Sequence, residues 1–191
     1  MIFKVVSRSI CLASLVLLLL PVNGRGGQIA GVNFSESLIA GEVELRLHGL
    51  ALLKWARLFD VYAGAFYLPE GSAGTDWSED IPKRLELSYF RHFAAGDFVK
   101  SSDKMLRDNL TVDAYLLLEE RLATFYGLFQ DISPKDRYSL VYLPDVGTEL
   151  RLNDEVLGMV PGADFALAYF GIWLGEKPIN RGFRDRLLDG R

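Results

Sequence analysis

The run from Leu58 to Leu68 limits what this chain can fold into more than any other stretch. Its odd positions are Phe59, Val61, Ala63, Ala65 and Tyr67, and its even positions include Tyr62, Gly64, Phe66 and Leu68. Side chains of a strand alternate between two faces. A segment apolar at both parities therefore presents two apolar faces and needs cover on each. Asp60 is the only charge in the run, and turn signals follow Leu68. Both features argue for a strand rather than a helix. The expectation is a central strand with other structure packed above and below it.

The neighbouring segments supply the rest of a sheet and a set of helices. Val43, Leu45 and Leu47 alternate with Glu44, Arg46 and His48, which reads as a half-wet strand that Gly49 turns. Pro69 to Pro82 is a loop, and Arg84 to Arg91 returns as a strand with Leu85, Leu87 and Tyr89 on one face and Glu86 and Ser88 on the other. Asp97 to Asn109 is a weakly amphipathic helix. Thr111 caps a second helix over Val112 to Phe129, where Tyr115, Leu118, Leu122, Phe125 and Phe129 form an apolar stripe. Strands follow at Arg137–Leu143 and Thr148–Leu152, and Asn153-Asp154 has hairpin chemistry that pairs Glu155–Val160 back on the last of these. Ala163 to Leu174 is apolar all round except for Asp164; too short to cross a bilayer, it belongs in a core. Arg181 to Leu188 closes the chain as a polar helix. Strands, two helices, a hairpin and two more helices imply an α+β domain, an antiparallel sheet with helices on one face.

The first residues carry a different message. Lys4 and Arg8 precede an apolar run from Ile10 to Leu20, then Pro21 and the small residue Gly24. This is the layout of a signal peptide over residues 1–24, which leaves 25–191 as the domain and implies export, in the simplest case to a periplasm. Its removal takes Cys11, the only cysteine, and moves the formal charge from −4 to −6. Such a chain has no thiol chemistry and no basic stripe for nucleic acid. His48 and His92 lack partners at ligand spacing, so neither zinc nor another cofactor is expected. No membrane-spanning segment is expected after residue 24, and the sequence is silent on oligomeric state.

Four blocks, taken in order, resemble the bacterial chalcone isomerase-like family. They are Phe59 to Pro69, Pro82 to Leu87, Asp136 to Leu140, and Asp164-Phe165-Ala166 with Phe170 to Gly175. The resemblance spans roughly residues 30 to 190. It implies a curved antiparallel sheet under a helical layer, an open-faced sandwich with a cleft between the two. Plant enzymes of this fold close a flavanone ring, holding the anion with an Arg and the ketone with Thr, Tyr and Asn. Relatives of the same fold bind fatty acids without catalysis.

Carried over residue by residue, the resemblance places Tyr62 in the Thr slot and Lys54, with Arg57 nearby, in the Arg slot. The Tyr slot falls on Phe98, which has no hydroxyl, and the Asn slot near Met105, which has no amide. A ketone-polarising network needs donors aimed where charge develops, and two of them are replaced here. The expected function is therefore non-catalytic binding of a small amphipathic molecule, such as a fatty acid. Phe98 and Met105 would line the tail, with Lys54 or Arg57 and Tyr62 at the head. Two alternatives remain open. One is an isomerase or lyase on an enone, with Lys54 lowering the Tyr62 pKa; the other is an interaction module whose cleft is filled by its own side chains.

Overall fold

The computed structural model describes residues 26–56 and 58–190. The expected signal segment and Arg57 lie outside the described residues. A short hairpin, β1 (Gly27–Ile29) and β2 (Val32–Phe34), stands apart from a single sheet of seven strands. These are β3 (Ser37–Ala40), β4 (Val43–Trp55), β5 (Phe59–Pro69), β6 (Lys83–Tyr89), β7 (Arg137–Leu143), β8 (Gly147–Leu152) and β9 (Glu155–Val160). Each pairs antiparallel with the next, so strand order in the curled sheet is chain order. Among the described residues, four α-helices, α1 (Ala95–Asn109), α2 (Val112–Tyr126), α3 (Ala163–Leu174) and α4 (Arg181–Leu188), complete the α+β fold.

The doubly apolar segment is β5, an interior strand between β4 and β6. Tyr62, Phe66 and Leu68 point into the core shared with all four helices. Ala63, Ala65 and Tyr67 join a second core with Phe34, Leu45, Leu47 and Val141 on the opposite face. That second core is where β1 and β2 pack. Helix α3 is buried on one side, with Phe165, Phe170 and Leu174 at most 1 % exposed, whereas Leu167 on its outer side is 45 % exposed. Asn153 and Asp154 both take left-handed backbone (φ 51° and 68°), as a two-residue hairpin turn demands. The Asn153 side chain also accepts a hydrogen bond from the Arg137 N–H at 2.9 Å.

One expectation needs correcting. Gly49 does not turn the chain, because β4 runs through it for 13 residues. The β4–β5 register slips between Leu47 and Gly49, the mark of a bulge. A Cβ at position 49 would lie 2.2 Å from the Leu187 carbonyl oxygen. The glycine is there to admit the last turn of α4, whose Leu188 carbonyl also meets His48 Nε2 at 3.0 Å. The polar face of β6 is covered as well. Arg84, Glu86 and Ser88 are all buried. Glu86 accepts from Arg84 at 2.8 Å and from Arg137 at 2.5 Å, while Arg84 also reaches Asp154 at 2.6 Å. Arg137 then donates to the Asn33 carbonyl of β2 at 2.9 Å. Burying these charges is tolerable because each is paired. Alternation finds the face, but only the β1–β2 hairpin, a short element with little periodicity, reveals its cover.

Candidate ligand-binding site

The helices do not close flush onto the sheet. A cavity of about 510 Å³ lies between the inward faces of β5 to β8 on one side and α1 and α3 on the other. That is within the roughly 300–1,000 Å³ usual for small-molecule sites. Its floor is built by strand alternation: Leu85, Leu87 and Tyr89 of β6, Tyr138 and Leu140 of β7, and Leu150 of β8. Period-2 geometry places all of these on one face.

An aromatic cluster forms one wall. Phe98 stacks on Phe129 (centroids 5.3 Å apart, planes at 11°) and meets Tyr89 and Tyr138 edge-on at 5.5 and 5.1 Å. The start of α1 is held over the sheet from outside this cluster. Phe93 N–H donates to the Ile132 carbonyl, Ala95 N–H to Asp131 at 2.8 Å, and Ala94 N–H to Asp97 at 3.1 Å. Helix α3 is tied down by its own polar groups. The Tyr169 hydroxyl donates to Ser102 of α1 at 3.0 Å, and the Trp173 indole N–H donates to the Tyr62 hydroxyl at 3.1 Å. Tyr169 and Trp173 lie four residues apart and so share a helix face.

The polar groups of the wall are mostly phenols. Burial pushes the pKa of Tyr62, Tyr89 and Tyr169 far above that of a free tyrosine. All three are therefore neutral hydrogen-bond donors at pH 7. Tyr138 both donates to and accepts from the Gln130 backbone, so its hydroxyl is occupied. Tyr62 accepts from Trp173 but gives its own proton to no acceptor among the described residues, and the Tyr89 hydroxyl makes no hydrogen bond among them. Two unengaged O–H donors thus belong to adjacent rings, 5.4 Å apart, at the edge of an apolar space. No Lys or Arg lines the cavity among the described residues; the one charged lining residue is Asp97, whose carboxylate caps α1. Nor do the described residues contain a cluster of His, Cys, Asp and Glu suited to a metal.

Of the residues singled out from sequence, Tyr62 and Phe98 are brought together at this cavity. Met105 packs against the same core but does not form part of the wall. Lys54 also stands outside the wall, pairing with Asp60 at 3.1 Å on the half-exposed end of the β4–β5 hairpin. The expectation that Lys54 lowers the Tyr62 pKa is overturned: burial raises it, and the only opposing influence is the Trp173 hydrogen bond. Sequence reasoning missed Tyr89, Tyr169, Trp173 and Ser102. Tyr89 was legible as the partner across from Tyr62 once register is known. Tyr169 and Trp173 were hidden by the reading of α3 as purely apolar.

Comparison with known proteins adds two findings. The chalcone isomerase-like family profile matches residues 26–189. Among solved structures, a fatty-acid binding protein of Arabidopsis thaliana superposes with a TM-score of 0.63 at 18 % identity, covering 83 % of this chain and 92 % of its own. At that identity the likeness carries the fold. A comparison with curated proteins finds no match.

Proposed function

Since the chain belongs to the chalcone isomerase-like family, we propose that it is a non-catalytic member that holds a small amphipathic molecule in the cavity beneath α1 and α3. The apolar tail lies on Leu85, Leu87, Leu140 and Phe98, and an acceptor oxygen of the head takes the free protons of Tyr62 and Tyr89. The observation that carries this reading is that pair of phenolic donors, without an acceptor among the described residues, on the lining of a mostly apolar space. Burying each methylene of a tail contributes roughly 0.8 kcal/mol, so most of the affinity comes from the tail and the tyrosines fix its direction. The fatty-acid binding activity named for the Arabidopsis structure is consistent with such a ligand.

A fatty acid is the simplest candidate, with one condition set by the wall. Without a cation beside it, a buried carboxyl is favoured in its protonated form. The acid then binds as the neutral species, or Arg57, the remaining basic candidate, meets its charge. Export through residues 1–24, to a periplasm in the simplest case, belongs to the same proposal. The test is uptake by delipidated protein, using dodecanoic acid and dodecanol in isothermal titration. Saturable binding of either at one site per chain supports the reading. Absence of uptake of both, with no lipid found by mass spectrometry in freshly purified protein, refutes it.

A further inference from the structure

The β4–β5 hairpin ends in an apolar tip that the other described residues leave uncovered. Trp55 is 67 % exposed, Leu58 77 % and Phe59 45 %. Trp55 and Phe59 are cross-strand partners and stack on each other, with ring centroids 6.1 Å apart. Tips of tight hairpins in soluble proteins are ordinarily polar, and three large apolar residues on one turn call for a partner.

Position and charge say which partner. Leu53 and Val61, on the two arms of this hairpin, line the cavity. Each is two residues from the Trp55–Phe59 pair, about 7 Å along a strand. Leu53 and Val61 are themselves only part-buried, so the tip adjoins an open edge of the cavity. Ile179, another lining residue, is 37 % exposed. Two cations flank the tip: Lys54, and Arg91, whose guanidinium lies 4.9 Å from the Phe59 ring centre. Arg91 also donates to the Asp60 carbonyl at 3.3 Å. Asp60, at the start of β5, is paired with Lys54, so these two charges offset each other and Arg91 carries the excess positive charge beside the tip. On a chain of net charge −4 this combination of Trp, Phe, Leu and basic side chains is the chemistry of an interfacial anchor, with rings at headgroup depth and cations on anionic lipid.

We propose that the β4–β5 tip inserts into the surface of an anionic lipid bilayer and turns that open edge of the cavity toward it, so that a ligand passes between bilayer and cavity without crossing bulk water. Insertion itself needs no ligand, so its failure and the failure of the binding proposal are separable.

The experiment mixes the full chain with vesicles of phosphatidylcholine, with or without phosphatidylglycerol, carrying brominated acyl chains that quench tryptophan at close range. The reporter is the difference between wild type and Trp55→Phe, which keeps an aromatic ring at the tip but removes its fluorescence. Residues 1–24 contain no tryptophan and are common to both chains. The expected result is quenching on anionic vesicles that Trp55→Phe abolishes, and that Leu58→Ser with Phe59→Ser lowers at least about fivefold. Equal quenching of wild type and Trp55→Phe overturns the proposal. Trp55-dependent quenching that is the same on neutral vesicles overturns the choice of an anionic surface. If Trp55 emission instead shifts with protein concentration alone, the tip meets a second copy of the chain, and the membrane assignment is wrong.

Discussion

Replacing Tyr89 by Phe separates a ligand-binding role from a structural one by the sign of two effects. The Tyr89 hydroxyl sits on a residue 5 % exposed and makes no hydrogen bond among the described residues. Burial is the first cause that drives its pKa up, with further contributions from the neighbouring phenols Tyr62, Tyr138 and Tyr169. A hydroxyl with no protein partner adds little to folding, so its removal should leave the empty protein unchanged or more stable by up to about 1 kcal/mol. Its ring packing against Tyr62, Phe93 and Phe98 is kept by phenylalanine. The ligand loses one neutral hydrogen bond, worth about 0.5–1.5 kcal/mol, which is roughly a 2- to 13-fold rise in Kd. Urea unfolding of delipidated protein and titration with dodecanol measure the two terms independently. A variant that is destabilised by more than 1 kcal/mol, with Kd unchanged, would show that the hydroxyl holds the fold together and that the ligand lies elsewhere.

Ser101 is an exposed residue of α1 on the cavity lining, so Ser101→Trp should plug the space and abolish binding while shifting the unfolding free energy by less than about 1 kcal/mol. Gly49→Ala drives a methyl toward the Leu187 carbonyl; it should cost about 2–3 kcal/mol in denaturant unfolding and expose His48 and α4 to hydrogen exchange. Lys83, 2 % exposed, donates to the Trp77 and Glu79 carbonyls at 2.7 and 2.6 Å, and burial lowers its pKa to about 8. The unfolded chain holds that proton up to about pH 10.4, so between these values the unfolded state binds more protons and stability rises with pH. Urea midpoints should climb between pH 8 and pH 10 relative to Lys83→Met, and a parallel pair of curves would refute the assignment.

The sheet was legible wherever alternation meets a single kind of cover. β6 to β9 and the Asn153-Asp154 turn follow from period 2 and turn chemistry, and β5 from its doubly apolar pattern. Thr111 duly caps α2, accepting from Ala114 N–H at 3.2 Å. Gly49 misled because the reason for that glycine, the α4 carbonyl pressed against β4, comes from the opposite end of the chain. Strands β1 to β3 were missed because three- and four-residue strands leave too little periodicity to detect. The site was half legible. Phe98 and Tyr62 could be placed by resemblance, whereas the donors supplied by Tyr89, Tyr169 and Trp173 depend on which rings meet across the sheet and the helix above it. Lys54 was placed in the Arg slot by the resemblance, but the Leu53/Lys54 register shift leaves it paired with Asp60 and outside the cavity wall.

The central claim is that the space between the β5–β8 floor and helices α1 and α3 receives the ligand. Proton NMR of methyl-labelled protein with unlabelled dodecanol tests it at named atoms. Nuclear Overhauser contacts are expected from the alkyl chain to the methyls of Leu85, Leu87, Leu140 and Leu150. Contacts confined to exposed leucines such as Leu117 or Leu167, or none at all under saturating ligand, would contradict it.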